Sequence, residues 1–262
     1  MIGPVPWPRV FVGTLACGEA ERVECSAAVA AQTGVSVTHA VIEDLPELEA
    51  HNALWDAWEA AKAGHDLFVK IDADTVLARP TALEEIAALF TDEAVTGAQI
   101  LLHDFFTDQL IAGLNAFSRA VTFRRATDRL WTDRVDGGHR MVLKGEPVRH
   151  LAPIGWHCRA PHPCQAFHFG LHRALKEQEA MIARCAAVWL VERDDARAWA
   201  LAGAMSAGAL RHHVDYGDAG FQAAFSALAD EVERGDRVER FARQMVEGMG
   251  AGETRGAARQ RH

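Results

Sequence analysis

Three apolar runs recur in the first 80 residues, at 10–15 (VFVGTL), 35–42 (VSVTHAVI) and 67–71 (LFVKI), with helix-compatible stretches between them. No other feature constrains the fold as much. β-branched and aromatic runs favour strands, and strands that alternate with helices build βαβ units around a mainly parallel sheet. The first intervening stretch, 19–32, is Ala-rich; the second, 51–63, carries Leu54, Trp58 and Ala61 at helical spacing and meets Gly64 where a C-cap glycine belongs. After the third run, Thr81-Ala82-Leu83-Glu84 has the form of a capping box, opening a helix with Leu83, Ile86 and Phe90 on one side. Residues 96–102 read as a further strand, and 109–126 as a helix carrying Arg119, Arg124 and Arg125. Residues 131–169, rich in Gly, Pro and His, read as loops with short strands. Helix-compatible composition then dominates from 171 to 246, broken near 217–220. The expected organisation is an α/β region over 1–170, a helical region over 171–247, and a frayed tail over 248–262, whose Gly, Ala and Arg offer too little apolar surface to order it.

Composition narrows the function classes. The 262 residues suffice for one large α/β core with a helical appendage, and 49% hydrophobic with 24% charged residues is ordinary for a globular chain. A formal charge of −9 argues against a general nucleic-acid binder, so an anionic ligand would need a local basic site or a metal. The apolar runs are too short for a membrane span, so no transmembrane segment is expected. The opening MIGPVPWPR lacks a basic start and an apolar stretch, which points to the cytoplasm. Five cysteines without framework spacing suit reduced thiols.

The run LFVKI ends in Asp72-Ala73-Asp74. In parallel α/β sheets ligands gather at the carboxyl ends of strands, and two carboxylates this close repel unless a cation compensates them. Mg²⁺ or Mn²⁺ is the natural partner, because hard cations prefer oxygen ligands and are shared with substrate phosphates. A solvated turn or helix cap is the structural alternative, since Asp favours both.

Strand, helix, strand, helix, strand, then Asp72-Ala73-Asp74 after LFVKI resembles the nucleotide-binding half of GT-A-fold glycosyltransferases and their Asp-x-Asp motif. The resemblance covers about residues 9–102, with a second patch near 165–176. It implies a GT-A-like α/β fold and a metal-dependent transfer of a sugar from a UDP- or GDP-sugar donor to a glycan or lipid-linked acceptor. It also implies that Asp74 is the direct ligand of Mn²⁺ or Mg²⁺, with Asp72 sharing the metal site on the ribose side. Asp44, closing the second run, would sit near the base, although Glu43-Asp44 also suits a solvated loop. Asn52 resembles a helix-start asparagine near the donor, a position that N-capping explains equally. Thr14 leaves the first run where the nucleotide would lie.

The segment GWHCRAPHPCQAFHFGLHRALK, 155–176, gathers four histidines, two cysteines and basic side chains. Its HFGLHRALK end is similar to the His-x-x-Gly-x-x-Lys element of retaining GT-A enzymes such as glycogenin, which implies His168 as a third metal ligand, with His157 and His172 in reserve. Gly170 comes one residue early, so Arg173 or Lys176 must stand in for the diphosphate-binding lysine, and the stereochemical outcome stays open. A solvated basic helix face is the plain reading of that pair. A zinc site from His157, Cys158, His162 and Cys164 matches no common spacing.

An inverting transferase needs a carboxylate or His as base for the acceptor hydroxyl, and WTDRVDGGH offers Asp133, Asp136 and His139, of which Asp133 and Asp136 are the candidates taken, although surface turns are equally rich in Asp and Gly. Two rival readings remain. Asp72-Ala73-Asp74-Thr75-Val76-Leu77 also resembles motif I of haloacid-dehalogenase phosphatases, with Asp72 as nucleophile and Thr96, Lys176 and Asp194-Asp195 as later motifs. That motif normally closes the first core strand, whereas two βα units precede it here. A non-catalytic protein is the other reading, with Trp189, Trp199, Phe221, Phe225 and Phe241 forming a surface for a partner or a homodimer.

Overall fold

The structure, a computed structural model, describes residues 7–211 and 215–259, with side chains through 249. Its backbone divides into two compact units, Met1–Phe105 with Gln109–Ala160, and Phe106–Asp108 with Pro161–His262. The division falls after Ala160, so the helix starting at Pro163 lies wholly in the second unit, where a boundary at 170 would cut it.

In chain order the first unit contains β1 (Arg9–Ala16), α1 (Arg22–Ala30), β2 (Ser36–Glu43), α2 (Glu47–Ala61), β3 (Leu67–Asp72), β4 (Thr75–Leu77), α3 (Ala82–Ala88), β5 (Val95–Asp104), β6 (Gln109–Ser118), β7 (Thr122–Phe123), β8 (Asp136–Gly137), β9 (Met141–Leu143), α4 (Glu146–Arg149) and β10 (Gly155–His157). Among the described residues the main sheet has the order β2-β1-β3-β6-β5-β10-β4, with β9 beside β5. β1 pairs parallel with β2 and β3, and β5 with β9 and β10, while β6 runs antiparallel to both β3 and β5. This is a mixed, mostly parallel sheet flanked by helices, the α/β class expected. β1, β3, β5 and β10 therefore run the same way, and their carboxyl ends at Ala16, Asp72, Asp104 and His157 share one edge.

The alternation of side chains along the strands explains the core. Val10, Val12, Val69 and Ile71 face Cys25 and Val29 of α1 and Leu83 and Ile86 of α3. Phe11 and Phe68 point the other way, against Leu54, Trp55 and Trp58 of α2. Trp58 stacks on Phe68 with ring centroids 5.2 Å apart. A strand covered on both faces reads as a continuous apolar run, which is what made β1 and β3 visible. Gly13 lets α2 settle on β1, because a Cβ there would lie 2.3 Å from Leu54 Cδ1.

Two expectations fail here. Residues 109–126 do not form a helix; 109–118 form β6, which closes a hairpin with β5 through Asp104 and Gln109. Helix-compatible Leu and Ala lost to tertiary pairing, since Leu114 and Ala116 bury alternate positions against the sheet. Thr81 precedes α3 as expected, but makes no cap bond; its hydroxyl donates to Glu85 Oε1 at 2.7 Å.

The second unit comprises α5 (Pro163–Leu175), α6 (Glu179–Glu192), α7 (Asp195–Ser206), α8 (Ala219–Ala227), α9 (Ala229–Arg234) and α10 (Asp236–Arg259). α5 and α7 cross at small residues: a Cβ on Gly170 would meet Ala200 O at 1.7 Å, and one on Gly203 would meet Phe167 O at 1.9 Å. His162 caps α5 by accepting from Gln165 N, with Pro163 at the first helical position, and Asp194 caps α7 by accepting from Arg197 N at 2.9 Å. Phe167, Leu171, Ala202, Leu210 and Phe221 form its core. Where a frayed tail was expected, α10 continues to Arg259, and residues 260–262 lie outside the described ones.

Candidate metal centre

The edge where the parallel strands end collects the chemistry of the first unit. Asp72 is the last residue of β3, and Asp74 sits in the tight turn between β3 and β4. The turn is held by its backbone, with Ala73 N donating to Leu15 O at 2.9 Å and Cys158 N to Asp74 O at 2.8 Å. β10 lies between β4 and β5, and its register sets His157 opposite both Thr75 and Asp104.

The two aspartates do not compensate one another; each has its own cation. Lys70 Nζ donates to Asp72 Oδ1 at 2.6 Å from a side chain only 9% exposed. Burial acts to lower the Lys70 pKa, but the charge and hydrogen bond of Asp72, joined by Asp133 and Glu47, outweigh it and hold it above its ordinary value. Asp74 lies 3.5 Å from His157 Nε2. Burial acts to raise the Asp74 pKa, yet the His157 charge and hydrogen bond, with a bond from Cys158, hold it well below the usual carboxylate range. His157 Nδ1 meets Asp104 Oδ1 at 2.6 Å, and the Asp104 side chain is fully buried. For His157 burial again opposes, but Cys158, Asp74 and Asp104 raise its pKa well above the ordinary imidazole value. The imidazole thus bridges a deep carboxylate and an outer one.

That arrangement suits a metal ligand. Histidines that bind metals commonly give their other ring nitrogen to a carboxylate, which fixes the tautomer and ring orientation. Asp74, His157 and Cys158 each offer one donor atom, all within 4.8 Å of one another. Carboxylate and imidazole fit a divalent cation, so the residues present match the group implied by the sequence. The charges of Asp74 and Asp72 also reach Glu19, whose pKa is pushed up to about 7, chiefly by burial.

The other sequence-derived residues divide into several groups. Asp133 is exposed, and its charge acts on both Lys70 and His51, which puts it on the Asp72 side of the edge. Its neighbour Thr132 is buried, with its hydroxyl 3.2 Å from Glu47 Oε1 and 3.4 Å from His51 Nε2 at the start of α2. Asp136 is not brought to Asp74. It bonds to His139, which contacts Thr96 at the beginning of β5, eight steps of about 3.3 Å or ~26 Å along the strand from Asp104. Asp44 follows β2 in an exposed left-handed conformation with φ 56°. Thr14 is buried, its hydroxyl 2.9 Å from His39 Nε2. Asn52 lies inside α2 and is no cap: its carboxamide pairs with Ala126, accepting at 2.7 Å and donating at 3.1 Å. In the second unit, the His168 ring stacks on Tyr216 at 4.4 Å and lies tilted against His172 at 4.0 Å. Arg173 donates to Gln178 Oε1 at 2.8 Å and covers the Phe169 ring, while Lys176 closes α5.

Sequence reasoning held His157 only in reserve and missed Asp104. Its signal was present: VTGAQILLHD is a further apolar run ending in a carboxylate, the same pattern as LFVKIDAD. A cavity of about 400 Å³ is lined by Arg124, Arg125, Thr127, Asp128, Trp131 and Arg134, with the Arg134 guanidinium 3.5 Å over the Trp131 ring.

No family model and no characterised protein sequence matches the chain. Among solved structures it is similar to the mannosyltransferase PcManGT from Pyrobaculum calidifontis in complex with GDP-Man and Mn²⁺, at 14% identity and a TM-score of 0.40, over 92% of this chain and 87% of that one. It is also similar to a glycosyltransferase involved in the glycosylation of the major capsid of PBCV-1, at 11% identity and a TM-score of 0.27, over 41% of this chain and 59% of that one. No helix among the described residues is long and apolar enough to cross a membrane.

Proposed function

We propose that the chain is a metal-dependent glycosyltransferase that takes a nucleotide-diphosphate sugar and passes the sugar to a hydroxyl acceptor. The observation that carries this reading is Asp74 paired with His157, itself oriented by buried Asp104, at the carboxyl edge of the parallel strands. Asp74 and His157 would hold the cation, Mn²⁺ or Mg²⁺ by the family resemblance. A cation bound there supplies a Lewis acid for the negative charge that develops on the departing diphosphate.

The chain's own groups do the rest. Lys70 neutralises Asp72 from beneath, so that Asp72, 46% exposed, can accept from ribose hydroxyls without carrying the metal. Asp44, exposed just after β2, is our choice for the base contact. Asp133 is the acceptor-side carboxylate, since its charge reaches the Lys70 and His51 neighbourhood; Asp136 is set aside. The arginine-lined cavity with Trp131 is where a glycan or lipid-linked acceptor would rest. Arg173 and Lys176 keep their sequence-derived role toward the diphosphate as a separate proposal, testable by alanine substitution, while His168 is set aside as the third ligand in favour of His157.

The phosphatase reading loses a required part. Its second motif would need Thr96, whose hydroxyl instead accepts from Arg140 N at 2.9 Å, at the opposite end of β5 from Asp104. A thermal-shift panel of UDP- and GDP-sugars, GDP-mannose among them, with and without Mn²⁺, tests the proposal. Ligands that bind the native state raise its melting temperature. A shift that needs both donor and metal, and that disappears in Asp74→Asn, supports it; no shift with any donor removes it.

A further inference from the structure

We propose that Cys158 is a third ligand of this centre, giving an Asp74-His157-Cys158 tripod that also accepts Zn²⁺ or Co²⁺ and holds them more tightly than the Mn²⁺ or Mg²⁺ of the family resemblance. The inference rests on the metal-site reading above and names the ion class it takes.

The donor atoms form a nearly regular triangle. Asp74 Oδ2 lies 3.5 Å from His157 Nε2 and 3.2 Å from Cys158 Sγ, and that sulfur lies 3.6 Å from His157 Nε2. Tetrahedral zinc, with bonds of about 2.3 Å to sulfur, 2.0–2.1 Å to nitrogen and 2.0–2.2 Å to oxygen, spaces its ligands roughly 3.3–3.6 Å apart. The triangle thus has the dimensions of one face of such a tetrahedron before any ion enters.

Two further observations point the same way. Cys158 is a non-glycine residue with φ 54°, a left-handed conformation that persists only where its surroundings impose it. In that conformation its N–H bonds to Asp74 O at 2.8 Å and its sulfur lies against the Asp74 carboxylate, 1% exposed overall. His157 is already aimed by Asp104 through Nδ1, leaving Nε2 toward the triangle. Thiolate is a poor ligand for Mg²⁺ and a good one for zinc, and affinity for a given donor set rises from Mn²⁺ through Co²⁺. Three protein ligands leave a fourth position, the pattern of catalytic rather than structural zinc, which a diphosphate oxygen would fill.

Binding exchanges protons for metal. The Cys158 S–H bond breaks as the metal–sulfur bond forms, His157 gives up its Nε2 proton, and both protons pass to buffer with no change of oxidation state. The ordinary alternative is a thiol that only donates to Asp74.

The test uses the full chain and Co²⁺ as a spectroscopic probe, with Zn²⁺ and Mn²⁺ affinities measured by chelator competition and calorimetry. Expected is a thiolate-to-cobalt charge-transfer absorption that saturates at one ion per chain and is lost in Cys158→Ser. In that variant Zn²⁺ affinity falls at least tenfold while Mn²⁺ affinity changes less than about threefold. Stoichiometric Co²⁺ binding without the charge-transfer band in the unmodified protein overturns the proposal without recourse to any variant. So does unchanged Zn²⁺ affinity in a folded Cys158→Ser. Asp74→Asn separates the two levels: if it keeps full affinity for every ion, the metal site itself fails, whereas loss of binding there with no effect of Cys158→Ser removes the sulfur alone.

Discussion

Asp104→Asn changes one atom in a side chain that no ligand is expected to touch, which makes it the sharpest internal test of the centre. Asp104 is fully buried and accepts from His157 Nδ1 at 2.6 Å, a charge-assisted bond in a region shielded from water. Such bonds contribute roughly 1.5–3 kcal/mol, and asparagine retains a neutral acceptor of the same shape, so about 2 kcal/mol of stability should be lost. At roughly 2–4 °C per kcal/mol for a chain this size, the melting temperature should fall by ~4–8 °C. Removing the carboxylate behind a metal-binding histidine typically lowers metal affinity by about 10–100-fold. The His157 pKa, raised well above its ordinary value, should move down. The sign follows from linkage: a raised imidazole stabilises the fold below its unfolded value, and that stabilisation is lost as pH rises through the folded value. In the variant, then, the loss should begin at lower pH. Calorimetry with Mn²⁺ and Zn²⁺ and an NMR titration of His157 provide the measurements. Metal affinity within twofold of the unmodified protein, with the His157 titration unmoved, would refute the claim that Asp104 orients a ligand.

Gly170→Ala should cost about 3 kcal/mol in denaturant unfolding, because a Cβ would overlap Ala200 O at 1.7 Å across the α5–α7 crossing. Gly208→Ala, with nothing within 4 Å, should change stability by less than about 0.5 kcal/mol. Equal effects at the two glycines would contradict the crossing. Glu19 has its pKa raised from 4.5 to about 7, so the folded metal-free chain holds the extra proton between those values and loses stability as pH rises through that window. Glu19→Gln should therefore match the unmodified protein near pH 4 and exceed it at pH 8, and parallel stability curves would argue against the shift. Lys70→Met should raise the His51 pKa from about 4, a value set first by burial and then by the Lys70 charge. An unmoved His51 resonance in an NMR titration would mean that the Lys70 charge does not reach it.

The fold was legible where burial wrote itself into composition. β1 and β3 are covered on both faces, so their sequences are unbroken apolar runs, and α2 repeats Leu54 and Trp58 at helical spacing. β6 was not legible, because QLIAGLNAFS carries good helix formers and its strand identity comes from pairing with β3 and β5. At the site, Asp72 and Asp74 were visible because they end an apolar run. Their compensation was not. Lys70 sits two residues before Asp72 in the same strand and so reaches it on the same face, whereas His157 and Asp104 reach Asp74 through strand order and register that no local spacing encodes. Asn52 shows the converse: a residue type suited to capping spends its amide on a loop 74 positions away.

A divalent cation seated on Asp74 and His157 is what the proposed function requires. Crystals grown with a nucleoside diphosphate and Mn²⁺, and separately with Zn²⁺, allow the ion to be located by anomalous scattering. Expected is a peak about 2.0–2.2 Å from an Asp74 carboxylate oxygen and from His157 Nε2. A peak elsewhere, or none while His157 still bridges Asp74 and Asp104, contradicts it.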